Sequence, residues 1–262
     1  MASGDRAGDV RASVWLAGKT APRRRTGAAG DGAALDLPRI LATTVRLLDA
    51  EGLAKFSMRR LATELGVTAM SVYWYVDNKD DLLELALDEA NADMAVPDVS
   101  DESVDWREHL RRLALEYRKS LVVHPWVAQL VGRYLNIGPH SMAFADATLS
   151  VMRRSGLPQE DVTGALSALF QFVYGFSTIE ALHQEHCRAA GVSMDEYYQQ
   201  VARALAAREE FTASYQESAE VLQAQQDVSV SERREREFAF ALETVIAGIE
   251  AMRDRKPGDR DR

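Results

Sequence analysis

The stretch FSMRRLATELGVTAMSVYWYVDNK, Phe56 to Lys79, decides the fold. Ser57 can accept a hydrogen bond from the free amides that open a helix; Leu61, Ala62 and Leu65 then share one face, and Arg59, Arg60 and Glu64 the other. Gly66 supplies a residue that tolerates the left-handed conformation and ends that helix. Val67 and Thr68 open a third, short helix reaching about Tyr73. Asp77-Asn78 breaks the chain before a fourth helix near Lys79, with Leu82, Leu83, Ala86 and Leu87 apolar. A helix, a glycine turn and a short helix of small or polar residues form a helix-turn-helix, which lays its second helix in the major groove of DNA. Taken alone, the same pattern also suits an ordinary packed helical hairpin.

Working outward, Ile40, Leu41, Thr44, Val45, Leu47 and Leu48 share one face of a first helix that starts around Pro38 and stops at Gly52. Residues 96–101 read as a connection, and long helical patterns follow. Trp106, Leu110, Leu113, Leu115, Tyr117 and Leu121 fit one helix, interrupted by His124-Pro125. Further helices are predicted from Trp126 toward Gly132, over 139–154, over 159–188, within the more polar 191–225, and from a Ser231 cap to Met252. Alternating β-branched runs bounded by tight-turn pairs are absent. The predicted fold is all-α, with a small N-terminal helix-turn-helix domain over 33–95 and a larger helical domain over 96–253. A flexible basic arm over 1–32 and a charged tail over 254–262 flank them.

Composition narrows the function. With 262 residues, 47% of them hydrophobic, the chain has ample material for buried cores. A single cysteine, Cys187, rules out an internal disulfide framework and fits a reducing compartment. No signal-peptide pattern is present, and no uninterrupted apolar run approaches the ~20 residues that span a bilayer, so a soluble, cytoplasmic protein is expected. The net charge of −9 argues at first against nucleic acid. Between Lys55 and Lys79, however, Lys55, Arg59, Arg60 and Lys79 face only Glu64 and Asp77. What matters for DNA is the sign of one face. The arm carries Arg23, Arg24 and Arg25, and reads either as a solvated tail or as a supplementary phosphate or minor-groove contact.

Enzymatic signatures are missing: no Ser-His-Asp order, no phosphate-cradling GxxxxGK[ST] loop and no HExxH. His183 and Cys187 lie one helical turn apart, but two ligands do not make a metal site, so neither metal nor cofactor is expected.

The first helix ending Leu47-Leu48-Asp49-Ala50-Glu51-Gly52, then Ser57-Met58-Arg59-Arg60-Leu61-Ala62, Leu65-Gly66-Val67, and Val72-Tyr73-Trp74-Tyr75-Val76-Asp77-Asn78-Lys79 with Leu82-Leu83 together resemble the TetR family over about 60 residues. The resemblance implies that Arg59 reads a guanine edge and that Thr68, Ala69, Met70 and Ser71 meet base edges or thymine methyls. It further implies that Tyr73, Tyr75 and Lys79 bind phosphate, Lys79 with help from the positive end of the fourth helix, while Leu61 and Val72 pack. Tetracycline repressors carry glutamine and proline where this chain has Ala69 and Met70, which implies a different operator. Their drug- and metal-binding histidines correspond to Ala95 and Tyr134 here, so magnesium–tetracycline recognition by the same chemistry is not expected.

The resemblance also implies a homodimer formed through the helices at about 159–188 and 231–252. Val162, Leu166, Leu169, Val173 and Phe176, with Phe238, Leu242, Val245, Ile246 and Ile249, supply more apolar surface there than one core needs. Trp126, Tyr134, Phe144, Gln171, Tyr174 and His183 are the candidate lining of a mostly apolar small-molecule site, alongside Phe170 and Glu180; each also suits core packing. The expected function is a ligand-responsive regulator, most simply a repressor, that binds a pseudo-palindromic operator in double-stranded DNA and is released by a small effector. The alternative is a non-specific or architectural DNA-binding protein.

Overall fold

Asp36 accepts the Arg39 amide at 2.9 Å, Pro38 occupies the first turn, and the helix that begins there buries Ile40, Leu41, Thr44, Leu47 and Leu48. The structure, a computed structural model, describes residues 13–16, 35–208, 215–224 and 228–254. These residues form eleven helices and no strand. They are α1 (Leu37–Glu51), α2 (Met58–Leu65), α3 (Ala69–Val72), α4 (Lys79–Asn91), α5 (Trp106–Val123), α6 (Val127–Leu130), α7 (Pro139–Arg154), α8 (Gln159–Ala190), α9 (Met194–Ala206), α10 (Gln216–Ala224) and α11 (Val230–Arg253). Several expected boundaries move by a residue or two, and two of them concern caps. The third helix ends at Val72, not Tyr73, and the last helix is capped by Ser229 instead of Ser231. Ser229 stands three residues before Glu232, whose amide it accepts, and so satisfies the open end of the helix that Ser231 already lies within.

The chain divides into two compact units. The first comprises 1–96 and 119–146, the second 97–118 and 147–262, so the segment 119–146 joins the N-terminal residues. In the first unit α4 packs on α1 and α6, and every residue from Leu82 to Asp88 is buried, including Glu84 and Asp88. Asp88 accepts the His140 and Ser141 amides at 3.2 and 2.9 Å, an N-cap for α7 supplied from another helix. Gly138 permits this approach: a Cβ there would lie 2.2 Å from the Asp88 carboxyl carbon. Asp49 at the end of α1 takes both His124 Nδ1 and Trp126 Nε1 at 2.7 Å, fixing the turn between α5 and α6. Within the expected flexible arm, Ser13–Leu16 forms a turn with Ser13 and Val14 buried. The rest of the arm, with Arg23–Arg25, and the tail from 255 lie outside the described residues.

In the second unit α8 packs on α11 and α9. Arg118, from the part of α5 in this unit, makes a bidentate pair with Glu180 on α8 at 3.0–3.2 Å and reaches Glu235 on α11 at 2.9 Å. Its guanidinium also lies over the rings of Phe238 and Phe176, at 4.4 and 5.6 Å. Phe172 and Phe176 pack on Phe238 with ring centres 5.3–5.4 Å apart, completing the seam between α8 and α11. At the far end of α8, His183 Nδ1 accepts from Arg234 Nη2 at 2.7 Å and lies 3.1 Å from the Tyr198 hydroxyl. Burial lowers the His183 pKa, and the nearby Arg234 and His186 lower it further. The neutral imidazole is thereby kept as an acceptor for Arg234.

The interspersed polar residues of α8 interrupt any apolar run, as expected, but barely lower its average. By length and composition it is apolar enough to cross a membrane, with an 18-residue window of mean hydropathy 1.3, of which 22% is buried. In the second unit this helix carries Glu180, and that carboxylate is neutralised by Arg118.

Two outcomes follow from these contacts. Gly138→Ala displaces Asp88 from the start of α7 and is expected to cost about 1–3 kcal/mol, read as a lower midpoint in urea unfolding at unchanged slope. His183 resists protonation when folded, so its contribution to stability is complete above the ordinary imidazole value of about 6.5 and is lost as pH falls through its lowered folded value. The melting temperature should therefore drop on acidification from pH 7 toward 5, and His183→Gln, which keeps an acceptor for Arg234, should flatten part of that drop.

Candidate DNA interface and ligand-binding unit

The reading element is built from local caps. Ser57 accepts the Arg60 amide at 3.2 Å, and Gly66 takes the left-handed conformation with φ 70°, closing α2 on the Ala62 and Thr63 carbonyls. Thr68 caps α3 through the Ser71 amide at 3.3 Å, and its hydroxyl lies 2.9 Å from that of Ser71. Val72 of α3 and Leu61 of α2 are fully buried and Leu65 is buried, which leaves the opposite face of this hairpin outward.

The two arginines of α2 separate cleanly. Arg60 pairs with Glu51 of α1 at 2.7 Å and Glu64 at 2.9 Å, while Arg46 joins Glu64 at 2.8 Å. Hydrogen bonds from Arg46, then Arg60, hold the Glu64 carboxyl below the usual carboxylate range, and those that Arg60 donates to Glu51, then Glu64, raise its own pKa. Arg60 is thus a strut between α1 and α2. Arg59 is exposed and forms no ion pair among the described residues. On α3 Met70 is 67% exposed, and beyond it Tyr73 and Trp74 are 42% and 56% exposed, while Ala69 and Ser71 are half-buried. Trp74 was absent from the sequence-derived set. Its signal was present, since three consecutive aromatics cannot all turn inward.

Tyr75 and Lys79 have other partners than the phosphates expected for them. The Tyr75 hydroxyl donates to the Leu35 carbonyl just ahead of α1, and Lys79 Nζ donates to the Phe56 carbonyl at 2.7 Å, with the ammonium 5.3 Å from the Phe56 ring centre. These side chains brace the recognition hairpin from below. The positive end of α4 is also offset by Asp80 and Asp81 in its first turn, which weakens the assistance foreseen for Lys79.

The six candidate effector residues divide between the units. In the first, Trp126 is 1% exposed and its indole N–H is committed to Asp49, so it packs instead of lining a site. Tyr134 is half-buried, its hydroxyl 3.4 Å from Asp80, and burial raises its pKa to about 12. Phe144 is half-buried. In the second unit Gln171 and His183 are exposed and Tyr174 is half-buried. Glu180, also named as a lining group, is instead the buried partner of Arg118.

Tyr117 makes an edge contact with Phe170 at 5.4 Å, and burial first, then the neighbouring Tyr174, raises its pKa to about 12. On the same helix His109 is 1% exposed, and its Nδ1 has no hydrogen-bond partner among the described residues. Sequence reasoning passed over His109, because a histidine on a helix face gives no sign of which partner it lacks.

Comparison with known proteins matches this architecture. Residues 40–86 match the profile for bacterial regulatory proteins of the tetR family, and residues 97–253 that for the tetracyclin repressor-like C-terminal domain. A helix-turn-helix transcriptional regulator of Saccharopolyspora erythraea is 34% identical over 149 residues, 56% of this chain and 62% of that protein. The helix-turn-helix transcriptional repressor DrrR1 of Streptomyces coeruleorubidus is 33% identical over 165 residues, 63% of this chain and 60% of that protein. Both matches thus span less than two thirds of the relatives' lengths. Among solved structures, the TetR family protein ActR of Streptomyces coelicolor in complex with actinorhodin superposes with a TM-score of 0.67 at 26% identity, covering 85% of this chain and 100% of that one. With family profiles matching both its helix-turn-helix and most of its remaining length, this chain belongs to the TetR family of transcriptional regulators.

Proposed function

We propose that this protein is a repressor that binds a pseudo-palindromic operator as a homodimer and releases it when a small, largely apolar effector occupies the second unit. The observation that carries the DNA reading is the division of labour on α2: Arg60 is locked into an ion network, while the adjacent Arg59 is exposed, as are Met70, Tyr73 and Trp74 in the element that follows. A guanidinium without a protein carboxylate is suited to guanine O6 and N7, and Met70 to a thymine methyl. Tyr73 adds an exposed phenol donor suited to phosphate, and Trp74 an exposed ring next to it in the chain. Thr68 and Ser71 organise the short helix, and Tyr75 and Lys79 hold its base.

The dimer reading rests on exposed apolar surface. Ile179 and Leu182 on α8 are 54% and 58% exposed, and Phe240 and Met252 on α11 are 78% and 52% exposed. Exposed Gly164 and Ala168 on α8, and Ala247, Gly248 and Ala251 on α11, would let paired helices approach closely. Two-fold pairing of these helices would set two recognition hairpins on one duplex, about one helical turn apart or a multiple of it. For the effector, Tyr117, Phe170 and Tyr174 offer aromatic surface, with His109 as a polar anchor. The actinorhodin complex of ActR supports a small-molecule ligand for this unit. A cytoplasmic location goes with this function.

Two measurements test the proposal. Duplexes selected from a random library should bind the protein at least a thousandfold more tightly than random DNA at physiological salt, and Arg59→Glu should abolish that preference while gel filtration still shows a dimer. Equal binding to selected and random duplexes would support an architectural binder instead. Once a releasing compound is found, the operator should weaken its binding by the same factor by which it weakens operator binding. A compound that releases the operator without that reciprocity would overturn the two-state repressor.

A further inference from the structure

The buried Glu84 is not used by any part of the DNA-reading or ligand-binding machinery described above. It sits in the middle of α4, 5% exposed, among Leu82, Leu83, Leu85, Ala86 and Leu87, each exposed by 4% or less. A carboxylate in such surroundings requires donors. They come from the far N-terminus: the Ser13 hydroxyl donates to one oxygen and the Val14 amide to the other, the latter at 3.1 Å. Ser13 and Val14 are themselves 6% and 4% exposed. The turn that presents them is closed by the Leu16 amide on the Ser13 carbonyl at 3.0 Å, with the Trp15 amide 3.3 Å from the Ser13 hydroxyl. Seventy residues separate the two sides of this contact. Both carboxylate oxygens are engaged, one by a side chain and one by backbone, which is how a protein recognises a short peptide.

We infer that the face of α4 at Glu84 is a peptide-docking site whose occupant is the chain's own segment Ser13–Leu16, and that its occupancy sets operator affinity. The link to DNA runs through α4 alone. Its first residue, Lys79, holds the Phe56 carbonyl at the start of α2, and Asn78 caps it directly after the recognition hairpin, accepting the Asp81 amide at 2.9 Å. Docked, the strap satisfies Glu84 and holds α4 where the hairpin is braced. Undocked, Glu84 has lost the Ser13 and Val14 donors, and α4 must shift or turn to bring it to water. Strap docking and hairpin position are therefore coupled in sign: what releases the first loosens the second.

The second clause of this inference rests on the DNA-binding reading; the first does not, and the test separates them. In the full-length protein, Ser13→Ala combined with Val14→Pro removes both donors and leaves the sequence of α4 unchanged. This variant should bind a synthetic peptide of residues 9–18 in calorimetry, whereas the wild type, whose site is filled, should not. Adding Glu84→Gln should abolish that binding. Operator affinity of the double variant should fall about tenfold, a coupling of the size usual between two sites on one protein, and saturating peptide should restore it. Circular dichroism and gel filtration establish that each variant is folded and dimeric. Absence of peptide binding by a folded double variant overturns the docking site. Peptide binding with unchanged operator affinity overturns only the coupling. A double variant that fails to fold is replaced by Ser13→Ala alone, whose Val14 amide exchange in hydrogen–deuterium measurements must be faster than that of the wild type; equal protection overturns the proposal.

Discussion

A helix buried on every side cannot carry carboxylates in its interior turns unless donors are brought to them, and α4 carries two, Glu84 and Asp88. Their donors come from opposite directions in the sequence. Glu84 draws in Ser13 and Val14, and Asp88 draws in the amides that open α7, through the gap left by Gly138. The surrounding leucines would bury equally well in several rotations of α4 about its axis. The carboxylates allow one, because a turn of the helix would strip both of their hydrogen bonds at once. Since only residues 73–78 separate α3 from α4, and Lys79 holds the Phe56 carbonyl, this choice of rotation is also what sets the base of the DNA-reading element.

The hairpin repeats the same logic with surface charge. Arg46, Glu51, Arg60 and Glu64 alternate in sign across α1 and α2 and satisfy one another, so the net positive count of the segment overstates what is available to a ligand. Such exposed pairs contribute little individually, of the order of a few tenths of a kcal/mol to 1 kcal/mol. Their consequence is geometric: they tie α2 to α1 through Arg60 and Glu64 and leave Arg59 exposed, without an ion pair among the described residues.

The second unit is organised around a different solution. Arg118 is held between two phenylalanine rings and two glutamates, and by these contacts it gathers α8 and α11 to its own segment of α5. A fully paired, ring-sandwiched guanidinium is worth more as a specifier of register than as a source of stability. Outside that seam Ile179 and Leu182 of α8 and Phe240 and Met252 of α11 are each more than half exposed, the apolar surface on which the proposed dimer rests.

Much of the helical plan was legible in the sequence because helix ends are local. Ser57, Gly66, Thr68 and Asn78 act on amides and carbonyls within a few residues, so α2, α3 and the start of α4 follow from their spelling alone. The errors have the same local origin: Ser231 and Ser229 are equally good caps on paper, and a one-residue difference in the end of α3 depends on how Tyr73–Tyr75 pack. The family resemblance was legible for the same reason, since its motifs are these caps and the apolar positions between them. What the sequence could not determine was partnership. Arg59 and Arg60 are adjacent and identical, yet one is a strut and the other free for a ligand; Tyr75 and Lys79 brace the hairpin; Trp126 turns to Asp49; Ser13 finds Glu84 across seventy residues. Secondary structure is decided by neighbours a turn away, and that information is written in order along the chain. Which polar group meets which is decided by where the apolar faces bring the helices together, and only the folded chain carries that.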